Sequence, residues 1–148
     1  MATYWDTSCL LKLYCRESDS DAYVREISTA RLPPRASVMV RVELHHAFQQ
    51  KAARDETGGR SPDQLFDDFH ADVERGRIQL LPFGDDVATE ARNIARQCYA
   101  GSPPILLRSL DGIHLATAML AGCHLILSTD KRMNAAAALL LQSGDKPD

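Results

Sequence analysis

The sequence predicts an α/β fold, a single domain in which a mostly parallel central sheet carries helices on both faces. Two observations predict it. Short β-prone runs alternate with helix-period segments along the whole chain, and such alternation builds parallel strands joined by helical crossovers. The 148 residues fit one ordinary core, and neither side of the breaker-rich stretch DETGGRSPD is large enough to stand alone.

The elements follow in order. The first strand is short, Thr3 to Trp5, and stops at Asp6. A helix-like segment starts at Ser8, with Leu10, Leu11, Leu13 and Tyr14 apolar. The stretch ESDSDAYVREIS reads as a second helix, capped by Ser18 or Asp19, with Val24 and Ile27 facing in. RLPPR breaks the chain, ASVMV is a short strand, and VELHHAFQQKAAR is a helix with Val42, Leu44, Ala47 and Phe48 inward. Ser61-Pro62-Asp63-Gln64 combines a cap, Pro at the first position and Gln where a capping box wants it. That helix runs to about Arg75, Gly76 ends it, and RIQLLPF is a strand. A helix over roughly Asp85 to Tyr99 follows, and AGSPP interrupts. Then come an amphipathic helix, SLDGIHLATAMLAG, a buried strand, HLILSTD, and a helix, KRMNAAAALL. The tail, residues 142–148, is polar and reads as disordered.

Composition excludes several classes. The chain is 45% hydrophobic and 25% charged, with 17 Lys+Arg against 20 Asp+Glu and a net charge of -3, so no global basic field argues for nucleic acid. Cys9, Cys15, Cys98 and Cys123 show neither C-x-x-C pairing nor zinc-finger spacing, and read as reduced thiols of a cytoplasmic protein. No signal peptide or membrane-spanning run is visible. Neither G-x-G-x-x-G nor a Walker-type loop is present, which disfavours dinucleotide and P-loop chemistry.

Four acids carry the functional argument. Ligands of open parallel sheets gather at the carboxyl ends of the strands. Asp6 follows the first strand and Asp130 follows LILST, while Glu43 and Asp111 lie in the first turns of the helices after ASVMV and SPPILLRS. Each alone reads as a helix cap or a first-turn acid favoured by the helix dipole. Together they belong to one face of the predicted sheet, where they would repel unless cations or raised pKa values relieved them. Hard oxygen donors without an organised His or Cys set point to Mg²⁺ or Mn²⁺. The common use of such a site is phosphodiester hydrolysis.

The stretches YWDTSCLLKLY, VELHHAF, LRSLDGIHLATAMLAG and LILSTDKRM resemble the ordered motifs of PIN-domain ribonucleases, in particular the VapC-type toxins of toxin–antitoxin pairs. The resemblance spans Thr3 to about Ala138, and LRSLDGIHLATA with TDKRM is its most specific part. It implies a single PIN-like domain in which Asp6, Glu43, Asp111 and Asp130 form an acidic metal site that Ser8 helps to hold. It also implies a structured cellular RNA as substrate, a tRNA or ribosomal RNA, together with a cognate antitoxin and a homodimer. The expected cut leaves a 3′-hydroxyl and a 5′-phosphate. The family usually adds a strand after the last helix, for which only LLL, 139–141, is available here.

Other residues read more plainly. Lys12, Arg16, Arg41, Arg108, Lys131 and Arg132 lie near the acids in sequence and are candidates for phosphate contact, against the ordinary reading of solvated charges. His114, between Ile113 and Leu115, reads as a packed structural histidine. Phe66 and Phe69 with Leu65 and Val73 read as core. The spacings Glu43/His46 and Asp111/His114 permit a di-iron bundle, which the predicted strands oppose. The remaining alternatives are a catalytically silent module that binds RNA or protein, and a DNA-directed nuclease of a related fold.

Overall fold

The computed structural model describes residues 2–142. Its sheet has four strands, β1 (Thr3–Trp5), β2 (Arg35–Ser37), β3 (Gln79–Leu81) and β4 (Leu125–Leu127), in the order β3-β2-β1-β4. Every pairing is parallel. The helices are α1 (Thr7–Leu11), α2 (Ser20–Thr29), α3 (Val40–Ala53), α4 (Pro62–Glu74), α5 (Asp85–Tyr99), α6 (Ser109–Leu120) and α7 (Lys131–Gln142).

Alternation along β1 divides the core in two. Side chains of successive strand residues point to opposite faces. Tyr4 packs with Ile94, Leu115, Ile126 and Met133, among residues of α5, α6 and α7. Trp5 packs with Leu10, Leu44, Phe48 and Phe69, among residues of α1, α3 and α4. The central strand is therefore apolar on both faces, as a covered parallel strand must be. The neighbours keep register: Tyr4 lies beside Ile126, and Trp5 beside Leu127. Phe48, at 0% exposure, is one of the largest side chains sealed into the second layer, and burial of that size stabilises by about 1.5–3 kcal/mol.

The topology creates a crevice. β1 leads to β2 on one side and β4 returns on the other, so the strand order reverses between β1 and β4. Crevices at such reversals collect ligands. Asp6 N–H donates to Leu127 C=O at 3.1 Å, which locks the ends of the two strands side by side.

Several sequence expectations are corrected in detail. ASVMV is not all strand: β2 ends at Ser37, and α3 starts at Val40. The Ser37 hydroxyl accepts the Met39 N–H at 3.1 Å, a local bond that turns the chain out of the sheet. In α3, Leu44 and Phe48 are buried but Val42 is exposed. In α2, Tyr23 and Ile27 pack inward and Val24 does not. Asp19 holds the N-cap position of α2 without a side-chain capping bond, because its carboxylate is taken by Lys12. β4 is an edge strand, with Leu125 exposed and only Ile126 buried. α6 is buried through its middle turns rather than amphipathic. Leu139, Leu140 and Leu141 continue α7 and form no further strand. The capping box at Ser61 and Gln64 forms as read, and Gly76 takes φ 73°, a left-handed conformation that stops α4 at little cost. The tail expected to be disordered, 142–148, starts one residue too early, because the backbone of Gln142 closes α7, and the rest of that stretch, 143–148, lies outside the described residues.

Candidate active site

Asp6, Glu43, Asp111 and Asp130 line one cleft of about 360 Å³, together with Thr7, Ser8, Arg108, His114 and Thr129. Each acid is delivered by an element boundary. Asp6 caps α1: its Oδ1 accepts the Cys9 N–H at 3.1 Å and the Ser8 hydroxyl at 2.6 Å. Ser8 Oγ in turn accepts the Thr129 N–H at 3.2 Å, which ties the start of α1 to the turn beyond β4. Asp130 starts α7, its Oδ1 accepting N–H bonds from Arg132 at 2.9 Å and Met133 at 3.0 Å. Asp111 sits in the first turn of α6 and Glu43 in the first turn of α3. The bland readings hold as well: Asp6 and Asp130 are caps and still belong to the cleft.

A cation already sits among the acids. Arg108 donates from Nε to Asp111 Oδ2 at 3.0 Å and from Nη2 to Asp130 Oδ2 at 2.9 Å. The Asp111 bond, with the nearby charges of Asp130 and Glu43, holds the Arg108 guanidinium above its ordinary range. The repulsion anticipated among the acids is thus relieved in part by a side chain of the same chain. As the side chains stand, no three acid, imidazole or thiol groups among the described residues are close enough together to hold a metal ion.

The chemistry of the cleft nevertheless fits a divalent cation. Its donors are carboxylate and hydroxyl oxygens, suited to Mg²⁺ or Mn²⁺. Thr7 Oγ1, on the cleft wall, is a buried polar atom without a hydrogen-bond partner among the described residues. Arg108 occupies two of the acids from a side chain that is 62% exposed.

The remaining candidates separate. Lys12 does not line the cleft: it is 8% exposed, donates to Asp19 at 2.7 Å, pairs with Glu17 and stands over the Tyr23 ring. Desolvation lowers its pKa, and the bonds to Asp19 and Glu17 outweigh that and leave it raised. Arg16 is paired with Asp21 on the surface, and Arg41 faces a different depression, beside His45 and Asp63. Lys131 and Arg132 are exposed at the start of α7 and are not cleft residues. Only Arg108 of this group joins the acids.

His114 is packed, as expected, but it also has a partner in the site. Its Nε2 lies 2.6 Å from Glu43 Oε1 and its Nδ1 2.5 Å from the Tyr4 hydroxyl. Burial pushes the Tyr4 phenol well above its ordinary pKa, so it stays a proton donor. Sequence reading gave Tyr4 no role, since nothing local in TYW signals a contact to α6.

The PIN domain family profile matches residues 3–139. The chain is 34% identical over 141 residues to Ribonuclease VapC46 of Mycobacterium tuberculosis, covering 94% of this chain and 92% of that protein.

This chain belongs to the PIN-domain family, in its VapC branch.

Solved structures share the PIN fold at low identity. M. tuberculosis VapC20, described as a sarcin-ricin loop cleaving toxin, superposes with a TM-score of 0.69 at 12% identity, over 91% of this chain and 95% of that one. VapBC-1 of nontypeable Haemophilus influenzae gives 0.65 at 13%, over 93% of each chain. FitAcB of Neisseria gonorrhoeae gives 0.64 at 17%, over 92% of this chain and 93% of that one.

Proposed function

We propose that this PIN-domain protein is a divalent-metal-dependent endoribonuclease and the toxin of a toxin–antitoxin pair. The carrying observation is the gathering of Asp6, Glu43, Asp111 and Asp130 around one cleft at the β1/β4 reversal, in a chain related over nearly its whole length to a VapC ribonuclease.

Asp6, Asp111 and Asp130 would hold Mg²⁺ or Mn²⁺, with Glu43 joining directly or through water. Such a cation supplies polarised water for in-line attack at phosphorus and neutralises charge on the departing 3′ oxygen. The chain's own groups set the stage. Ser8 and the Cys9 N–H fix Asp6, and the first N–H groups of α7 fix Asp130. Arg108, once released from the acids, presents a forked donor to a phosphate at the rim. No covalent nucleophile is indicated, since Ser8 Oγ is committed to Asp6 and Thr129, with no histidine bonded to it. The products are then a 3′-hydroxyl and a 5′-phosphate. The substrate is a structured cellular RNA, tRNA or ribosomal RNA. The partners are a cognate antitoxin and a second copy of the chain, and the compartment is the cytoplasm. Among the described residues, no helix is long and apolar enough to cross a membrane.

One observation favours a second reading, a PIN module that binds RNA or protein without cutting: Arg108 is seated between Asp111 and Asp130. Partner-free protein incubated with total cellular RNA, and separately with DNA oligonucleotides, in Mg²⁺, Mn²⁺ or EDTA decides between the two. The nuclease reading expects discrete RNA products that require metal, with DNA left intact. RNA retained unbroken in every condition, with no calorimetric Mn²⁺ binding, establishes the module instead.

A further inference from the structure

We propose that Tyr4 and His114 form a buried positioning relay that fixes Glu43 in the cleft, with His114 held as its Nε2–H tautomer. This inference rests on the nuclease reading for its catalytic meaning, but not for its geometry.

The relay crosses four elements. On β2, the Ser37 N–H donates to the Tyr4 hydroxyl at 3.0 Å. On β1, Tyr4 is 0% exposed and its hydroxyl reaches His114 Nδ1 on α6 at 2.5 Å. His114, 2% exposed, reaches Glu43 Oε1 on α3 at 2.6 Å. The Tyr4 and His114 rings also meet edge to face, with centroids 5.8 Å apart.

Proton counting selects the tautomer. The Ser37 N–H can only donate, so the phenol oxygen accepts there. The single phenol proton is then directed to His114 Nδ1, which accepts. The ring proton must sit on Nε2, where it donates to the Glu43 carboxylate. Any arrangement with a proton on Nδ1 strands the phenol proton in a buried site, and an unpaired buried donor bears its full desolvation penalty. Only the Nε2–H form pairs every group.

The consequence falls on Glu43. The three aspartates are each held by a partner close in sequence: Asp6 by Ser8 and Cys9, Asp111 by Arg108, Asp130 by the first turn of α7. Glutamate has one more rotatable bond and needs more restraint. His114 supplies it from across the sheet, binding Oε1 and leaving Oε2 for the cleft. Partners of this kind tune a ligating carboxylate without touching substrate.

The test combines a spectrum with a mutational cycle. Imidazole ¹⁵N NMR of the folded wild-type protein reads the His114 tautomer directly, with no mutation and no metal. The expected result is protonated Nε2 and bare Nδ1, with the Nε2 signal moving in Glu43→Gln. Tyr4→Phe keeps the ring and removes only the hydroxyl. Tyr4→Phe and His114→Ala should each weaken calorimetric Mn²⁺ binding and lower kcat by about tenfold or more, with KM for RNA little changed. His114→Gln, which retains an N–H donor, should recover part of the loss. In a Glu43→Ala background both losses should vanish. A spectrum with Nδ1 protonated overturns the relay. So do losses that persist undiminished without Glu43, which would make Tyr4 and His114 general supports of the fold. Wild-type protein that shows the expected tautomer but neither binds Mn²⁺ nor cuts RNA contradicts the nuclease reading while leaving the relay standing.

Discussion

Arg108 and Asp130 are joined by a hydrogen bond of 2.9 Å within the acidic cleft. The same guanidinium holds Asp111, so one exposed side chain neutralises two of the four acids. A divalent cation must displace it to use both.

Arg108→Ala should therefore tighten Mn²⁺ binding. Exposed ion pairs contribute up to about 1 kcal/mol, which corresponds to roughly fivefold in affinity. Isothermal titration of the two proteins checks this. Unchanged or weaker binding in the variant would mean that Arg108 does not compete for the acids.

Ser8→Ala should lower both stability and activity. It removes the 2.6 Å bond to Asp6 and the bond that Ser8 accepts from the Thr129 N–H. Loss of such a bond to a charged group costs roughly 1.5–3 kcal/mol in urea unfolding. A variant as stable and as active as wild type would show that Asp6 needs only its backbone partner.

Gly112 lies within buried α6, and a Cβ there would meet Ala91 O and Leu107 Cδ2 at 3.8 Å, ordinary contact distances. Alanine also loses less backbone entropy in a helix. Gly112→Ala should thus raise the urea midpoint, by about 0.5–1 kcal/mol of stability. A clear loss of stability would show that α5 and α6 pack more tightly than these distances allow.

The four cysteines should be silent toward thiol reagents while the protein is folded. All are buried and free. Burial, then the charge of Asp6, pushes the Cys9 thiol up to about 12, and burial raises Cys15, Cys98 and Cys123. Ordinary thiols ionise near pH ~8.5, so native protein should stay unlabelled by Ellman's reagent when the pH is taken from 7 through that range, whereas urea should release all four. Rapid labelling of native protein would contradict the buried placement.

Much of the arrangement was legible because the four acids sit at element boundaries. Asp6 and Asp130 read as caps, and caps at the carboxyl ends of β1 and β4 necessarily face the crevice. The Ser61 capping box was readable because its partners lie three residues apart. What sequence could not supply were contacts between distant positions. His114 meets Glu43 across 71 residues and Tyr4 across 110. Arg108 finds Asp130 across 22. Lys12, a plausible cleft cation by proximity to Asp6, turns the other way because Asp19 and Glu17 fold back beneath it. β2 is shorter than the β-branched run suggests because the Ser37 hydroxyl takes the Met39 N–H away from the sheet.

The most direct test compares wild-type protein with Asp6→Asn on total cellular RNA in Mn²⁺, with the 5′ ends of the products mapped. Asparagine keeps the cap of α1 and removes the charge, so folding is preserved while the acid site is broken. The account predicts discrete wild-type cuts carrying 5′-phosphates, suppressed by EDTA and absent from the variant. Cleavage that survives in Asp6→Asn, or products ending in a 2′,3′-cyclic phosphate, would contradict it.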